Sequence, residues 1–152
     1  MGEQSMRATG WARAFPISGG IRAGRAWTRD HLDTIGWTTR VPETADDVLL
    51  TVSELITNAH FHAHSNAILV LTWDNHCLHV SVHDSSPVLP VPRAPDATAT
   101  GGRGIGIVDA LSDGWHARPQ TDGKTVTACF RPSGTSDPHT DRGHGGRPLG
   151  GR

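Results

Sequence analysis

Gly101-Gly102-Arg103-Gly104-Ile105-Gly106, running directly into Ile107-Val108-Asp109-Ala110-Leu111, is the stretch that decides how this chain is read. Four glycines in six positions add no side chain to a core, and ordering them costs conformational entropy. What they permit is a backbone that turns through positive φ and comes close to another molecule. The residues that follow are apolar and helix-compatible. A glycine-rich turn that opens a helix presents free N–H groups at the positive end of the helix dipole, which suits an anion such as a phosphate. Taken alone, the segment reads equally well as a glycine-rich hinge or surface loop.

Bulk properties narrow the options. A chain of 152 residues is one domain's length and long enough for a real core. Net charge is −1, which gives no reason to expect nucleic acid or a membrane surface as partner. The chain has no apolar run of membrane-spanning length and no signal-peptide pattern at its start, so the cytoplasm is the expected location. The two cysteines, Cys77 and Cys129, fall in strand-like runs and read as buried or half-buried thiols rather than a disulfide. Ten histidines raise the question of metal binding. His60 and His64 share a helical face, and Cys77, His79, Ser81 and His83 share a strand face. Both sets are read as surface-facing polar residues, with a metal site as the less favoured alternative.

Upstream of the glycines, Trp11 to Phe15 reads as a short strand. A helix follows from Ser18 or the glycines after it, with Ala23, Trp27, His31 and Ile35 at four-residue steps, and ends near Gly36. In the second helix Thr44 and Asp47 resemble a capping box, and Val48, Leu49, Val52, Leu55, Ile56 and Ala59 form its apolar stripe. Glu54, Asn58 and His62 follow at four-residue steps on another side of that helix. Ala67 to Trp73 is a near-continuous apolar run and reads as a central strand. Asp74-Asn75-His76 is a turn, and Cys77 to Asp84 is the return strand, with Leu78, Val80 and Val82 on one side. Asp84 shares the parity of the apolar set. It therefore points to the core side, where an unpaired carboxylate is expensive. Residues 85–100 carry four prolines and no period, so they form a long loop. A helix from about Gly104 to Leu111 and strands at Trp115–Ala117 and Thr125–Phe130 complete the domain. The boundaries read as a flexible 1–10, a domain at 11–131 and a disordered tail at 132–152.

Three features then require one explanation: Glu54 and Asn58 one turn apart, an inward Asp84 at a strand end, and a loop leading into a glycine-rich helix start. Glu54 to Ala63 (ELITNAHFHA) resembles the N box of the GHKL, or histidine kinase-like, ATPases. Asp84-Ser85-Ser86-Pro87 sits where that family has its adenine-reading aspartate, Gly102 to Val108 resembles its second glycine box, and Gly123-Lys124-Thr125-Val126 its closing strand. The chain is most similar to the stand-alone anti-sigma-factor serine/threonine kinases and their actinobacterial-type relatives. It departs from the wider family in having Ser85-Ser86-Pro87 where a glycine-x-glycine turn is usual.

The resemblance implies an α/β, two-layer Bergerat-type sandwich: a mixed, mostly antiparallel sheet with helices on one face and a mobile lid at 85–100. It implies ATP and Mg²⁺ as ligands, with Asn58 on the Mg²⁺, Glu54 as the catalytic base and Asp84 on the adenine amino group. Gly102, Arg103, Gly104, Ile105 and Gly106 would hold phosphates, and Thr125 would reach the adenine. The implied partners are a sigma factor or an anti-anti-sigma-type protein, with a homodimer left open. The alternatives are a non-catalytic ATP-binding interaction switch and a histidine metal-binding protein that binds no nucleotide.

Overall fold

The computed structural model describes residues 8–90, 103–132 and 147–148. Of the segment expected to be loose at 1–10, residues 1–7 lie outside the described residues, as do the lid beyond residue 90, Gly102, and 133–146 and 149–152 of the tail. Among the described residues six strands form one sheet: β1 (Thr9–Phe15), β2 (Ala67–Trp73), β3 (Leu78–Asp84), β4 (Gly114–Gln120), β5 (Gly123–Phe130) and the two-residue β6 (Arg147–Pro148). Their order is β1-β2-β3-β5-β4-β6. The first four neighbouring pairs are antiparallel and β4–β6 is parallel, which gives the mixed, mostly antiparallel α+β sheet expected. The helices are α1 (Gly20–Thr34), α2 (Trp37–Arg40), α3 (Pro42–Thr57) and α4 (Arg103–Leu111).

Among the described residues, helices cover one face of the sheet. On β3, Leu78, Val80, Val82 and Asp84 are buried, and the residues between them are half-buried. Register carries this alternation across the sheet: Leu71 opposes Val80, Val80 opposes Ala128, and Ala128 opposes Trp115. The inward rows meet Leu32 of α1, Val48, Val52 and Ile56 of α3, and Ile105 and Val108 of α4 in a single core. β2 obeys the same rule. Its apolar run suggested burial on both faces, yet Ile68 is 42 % exposed because, among the described residues, no layer covers the outer face.

The buried face of α1 differs from the sequence expectation. It consists of Gly20, Gly24, Thr28 and Leu32, while Ala23 is exposed and Trp27 and Ile35 pack only at the core's edge. A Cβ at Gly24 would lie 2.4 Å from Ile56 Cδ1, and one at Gly20 would lie 2.7 Å from His60 Cε1. The two glycines thus let α1 lie directly on α3. The capping box is also corrected. α3 begins at Pro42, whose missing N–H needs no partner at a first helical position, and Thr44 and Asp47 lie inside the helix. α2 was not expected. It buries Trp37 completely, edge-on to Trp73 at 5.4 Å.

His60 corrects the surface-facing assignment. It is 4 % exposed, and its Nε2 lies 3.0 Å from the Phe15 carbonyl oxygen, tying the end of the α3 segment to β1. His62 and His64 are exposed, so no His60–His64 pair faces solvent. Replacing Gly24 by valine should force fully buried Ile56 aside and cost about 1–3 kcal/mol. Urea unfolding followed by circular dichroism checks this; an unchanged midpoint would contradict the close α1–α3 contact.

Candidate functional site

Glu54, on α3, and Asn58, the first residue after it, stand one turn apart, both half-buried, beside Leu55, Ile56 and Ala59, which are buried. Apolar neighbours fix the helix, so the two polar side chains are held by its rotation. Just after Thr57 the helix widens into a π turn, Asn58–His62, closed by the Ala63 N–H donating to Asn58 O at 3.1 Å. Such widened turns inside helices are frequent at functional sites. The Ser65 N–H then donates to Ala59 O at 3.1 Å, turning the chain toward β2.

Asp84 points inward, as its parity requires, and is 3 % exposed. It does not stand alone. Lys124 on β5, directly opposite in the register and 7 % exposed, places its Nζ 2.9 Å from Oδ2 and 3.0 Å from Oδ1. The Ser86 N–H donates to Oδ1 at 2.8 Å. Lys124 was missed as a site residue, although it has the same parity as Val126, Ala128 and Phe130, and that alternation was the signal. Gly123 allows the pairing: a Cβ there would fall 1.9 Å from the Asp84 carbonyl oxygen.

Ser85 and Ser86 have structural work of their own. The Ser85 N–H donates to Ser65 Oγ at 3.0 Å, which ties the end of β3 to the segment that follows Asn58. The Ser86 N–H closes a turn on Asp84, so the loop leaves the sheet in a fixed direction without the usual glycines. A cleft of about 340 Å³ opens beside this junction, lined by Ser65, Asn66, Ile68, His83, Asp84, Ser85 and Asp122. Glu54 and Asn58 are not among its lining residues.

The other expected positions divide. Arg103 and Gly104 open α4, and Gly102 lies outside the described residues. Ile105 is 1 % exposed, so its side chain belongs to the core and only its backbone is available to a ligand. A Cβ on Gly106 would meet nothing within 4 Å, so the space over this helical glycine is open. Thr125 is a correction. It pairs with His83 on the sheet's outer face, where its hydroxyl lies 3.1 Å from His83 Nδ1 and donates to Gln120 Oε1 at 2.7 Å. Its side chain therefore points away from the face that carries Asp84.

Comparison with known families gives a match over residues 20–130 to the histidine kinase-like ATPase domain. No curated protein matches the chain. Among the described residues no helix is long and apolar enough to cross a membrane.

Removing one partner of a buried pair strands the other charge, which typically costs about 3–5 kcal/mol. Lys124→Ala should therefore destabilise the fold strongly, whereas Asp84→Leu combined with Lys124→Met should regain most of the loss. Chemical denaturation of the two variants beside the wild type decides this. A single variant as stable as the wild type would contradict a buried, mutually dependent pair.

Proposed function

Because this chain belongs to the histidine kinase-like ATPase domain family, we propose that it is an ATP·Mg²⁺-binding regulatory protein that phosphorylates serine or threonine on a small partner protein. One juxtaposition carries the reading: a half-buried Glu54/Asn58 pair at the end of α3 in the same small domain as a buried carboxylate, Asp84, that keeps acceptor capacity. A carboxylate offers about four lone-pair sites. Oδ1 takes Lys124 and the Ser86 N–H, and Oδ2 takes Lys124, so Oδ2 retains one site for an adenine amino group. Lys124 holds the carboxylate aimed.

Asn58 is the residue that would hold Mg²⁺, since an amide oxygen is a suitable hard donor. Bound there, the ion neutralises phosphate charge. The backbone N–H groups of Gly102, Gly104 and Gly106 would meet the phosphates at the start of α4, with Arg103 adding positive charge. The open space over Gly106 fits that approach. Glu54 orients the attacking hydroxyl and accepts its proton as the new oxygen–phosphorus bond forms and the bond to the ADP oxygen breaks. Positioning and charge neutralisation do most of the catalytic work. The partner chemistry that fits is an anti-anti-sigma-type protein, with a sigma factor as the competing binding partner in the cytoplasm.

A second reading rests on the Asp84–Lys124 pair. Lys124 already neutralises Asp84, which suits a protein that binds ATP as a switch without turnover. Glu54→Ala separates the two. For a kinase it keeps ATP affinity and lowers transfer of labelled γ-phosphate to the partner by at least about a hundredfold. Transfer at the wild-type rate would exclude Glu54 as base. Gly106→Ala gives an independent check: relieving a mid-helix glycine should add about 0.5–1 kcal/mol of stability, while the added methyl weakens ATP binding. Unchanged affinity would remove Gly106 from the phosphate site.

A further inference from the structure

The outer face of the sheet carries a row of cross-strand polar pairs between β3 and β5. His83 meets Thr125 and Ser81 meets Thr127, each pair within hydrogen-bond distance, at 3.1 and 2.8 Å. The next pair in the register is His79–Cys129, and there the pattern changes. Cys77, just before β3, joins them. One ligand atom from each of Cys77, His79 and Cys129 lies within 4.8 Å of the others. Two thiols and an imidazole meet far from Glu54 in sequence, on the opposite face of the sheet from Asp84 and at the other end of the same two strands.

Several details show a built cluster. Cys129 is buried, and Cys77 and His79 are half-buried, so the three are shielded but reachable. Gly114 opposes Cys129 from β4 and brings no side chain over the thiol. The turn before Cys77 is fixed by Asp74, whose Oδ1 accepts the N–H groups of His76 and Cys77, both at 2.8 Å. The other oxygen of that carboxylate stands 3.7 Å from His79 Nε2, and such a carboxylate neighbour is common for metal-ligating imidazoles. His116, on the same face one pair along β4, has a buried Nδ1 with no hydrogen-bond partner among the described residues. Both cysteines are free.

We propose that Cys77, His79 and Cys129 form a binding site for a soft divalent cation, Zn²⁺, that clips β3 to β5. Two sulfurs and one imidazole nitrogen are the donor set that zinc takes in tetrahedral sites, with the fourth position left to solvent. Closing the cluster to bonding distance needs only small side-chain movements, because the ligand atoms already lie within 4.8 Å. Each thiol that binds gives up its proton to solvent and no oxidation state changes. The site is independent of the nucleotide reading: it shares no residue with Glu54, Asn58, Asp84 or Lys124.

The test uses the full, untagged chain, reduced and freed of metal, titrated with Co²⁺ as a spectroscopic probe and then with Zn²⁺. The expected result is one equivalent of Co²⁺ giving thiolate-to-cobalt charge transfer and the intense visible bands of a tetrahedral site, displaced by one equivalent of Zn²⁺. Cys77→Ser and Cys129→Ser should each abolish the charge-transfer band while circular dichroism stays native, and Asp74→Asn should weaken binding by about 10- to 100-fold. Zn²⁺ should raise the unfolding temperature of the wild type and not of Cys77→Ser. No charge-transfer band in the wild type would overturn the proposal. So would a band or Zn²⁺ stabilisation that survives both serine variants, since the remaining histidines would then be the ligands.

Discussion

The buried ion pair between Asp84 and Lys124 is the constraint on which the rest of this structure turns. Two charges sit on adjacent strands, on the covered face of the sheet, at the end of the β3–β5 ladder. Neither can be there without the other, because an isolated charge in that position would be too costly to desolvate. The pair fixes the register at the sheet's end, requires a glycine at 123 to let the backbones approach, and directs the chain into Ser85 and Ser86. Through the Ser85–Ser65 bond it also fixes how the end of β3 meets the segment following Asn58. The geometry that aims Asp84 and the geometry that stabilises the sheet are the same.

Much of this was legible in the sequence where polarity alternates. The parity of Leu78, Val80 and Val82 placed Asp84 inward, and the four-residue steps of α3 placed its apolar stripe and the Glu54/Asn58 side correctly. The same rules, applied one step further, reach two residues that were misread or missed. His60 is four residues beyond Ile56 and so continues the buried stripe, and Lys124 alternates with Val126. Their polar character hid them, although the pattern argument that placed Asp84 inward applies to both.

Other features were not readable from pattern. The buried face of α1 is made of glycines, which carry no hydrophobic signal; what selects them is the nearness of Ile56 and His60. The meeting of Cys129 with Cys77 and His79 depends on the register of β3 against β5, whereas the outward position of Thr125 follows from the alternation that puts Lys124 and Val126 inward. Register between strands distant in sequence is set by tertiary packing, so residue spacing does not reveal it.

The two faces of the β3–β5 ladder have separate chemistries. The inward end holds a charged pair suited to a nucleotide base, and the outward end holds thiols and imidazole suited to a soft cation. At the inward end, the role proposed for Asp84 is to hold an adenine nucleotide. Thermal unfolding with ATP or GTP, each with and without Mg²⁺, tests it most directly. At about a hundred times its Kd, ATP with Mg²⁺ should add about 2.7 kcal/mol of stability, with GTP far less effective. No stabilisation by either nucleotide, or equal stabilisation by both, would contradict the account.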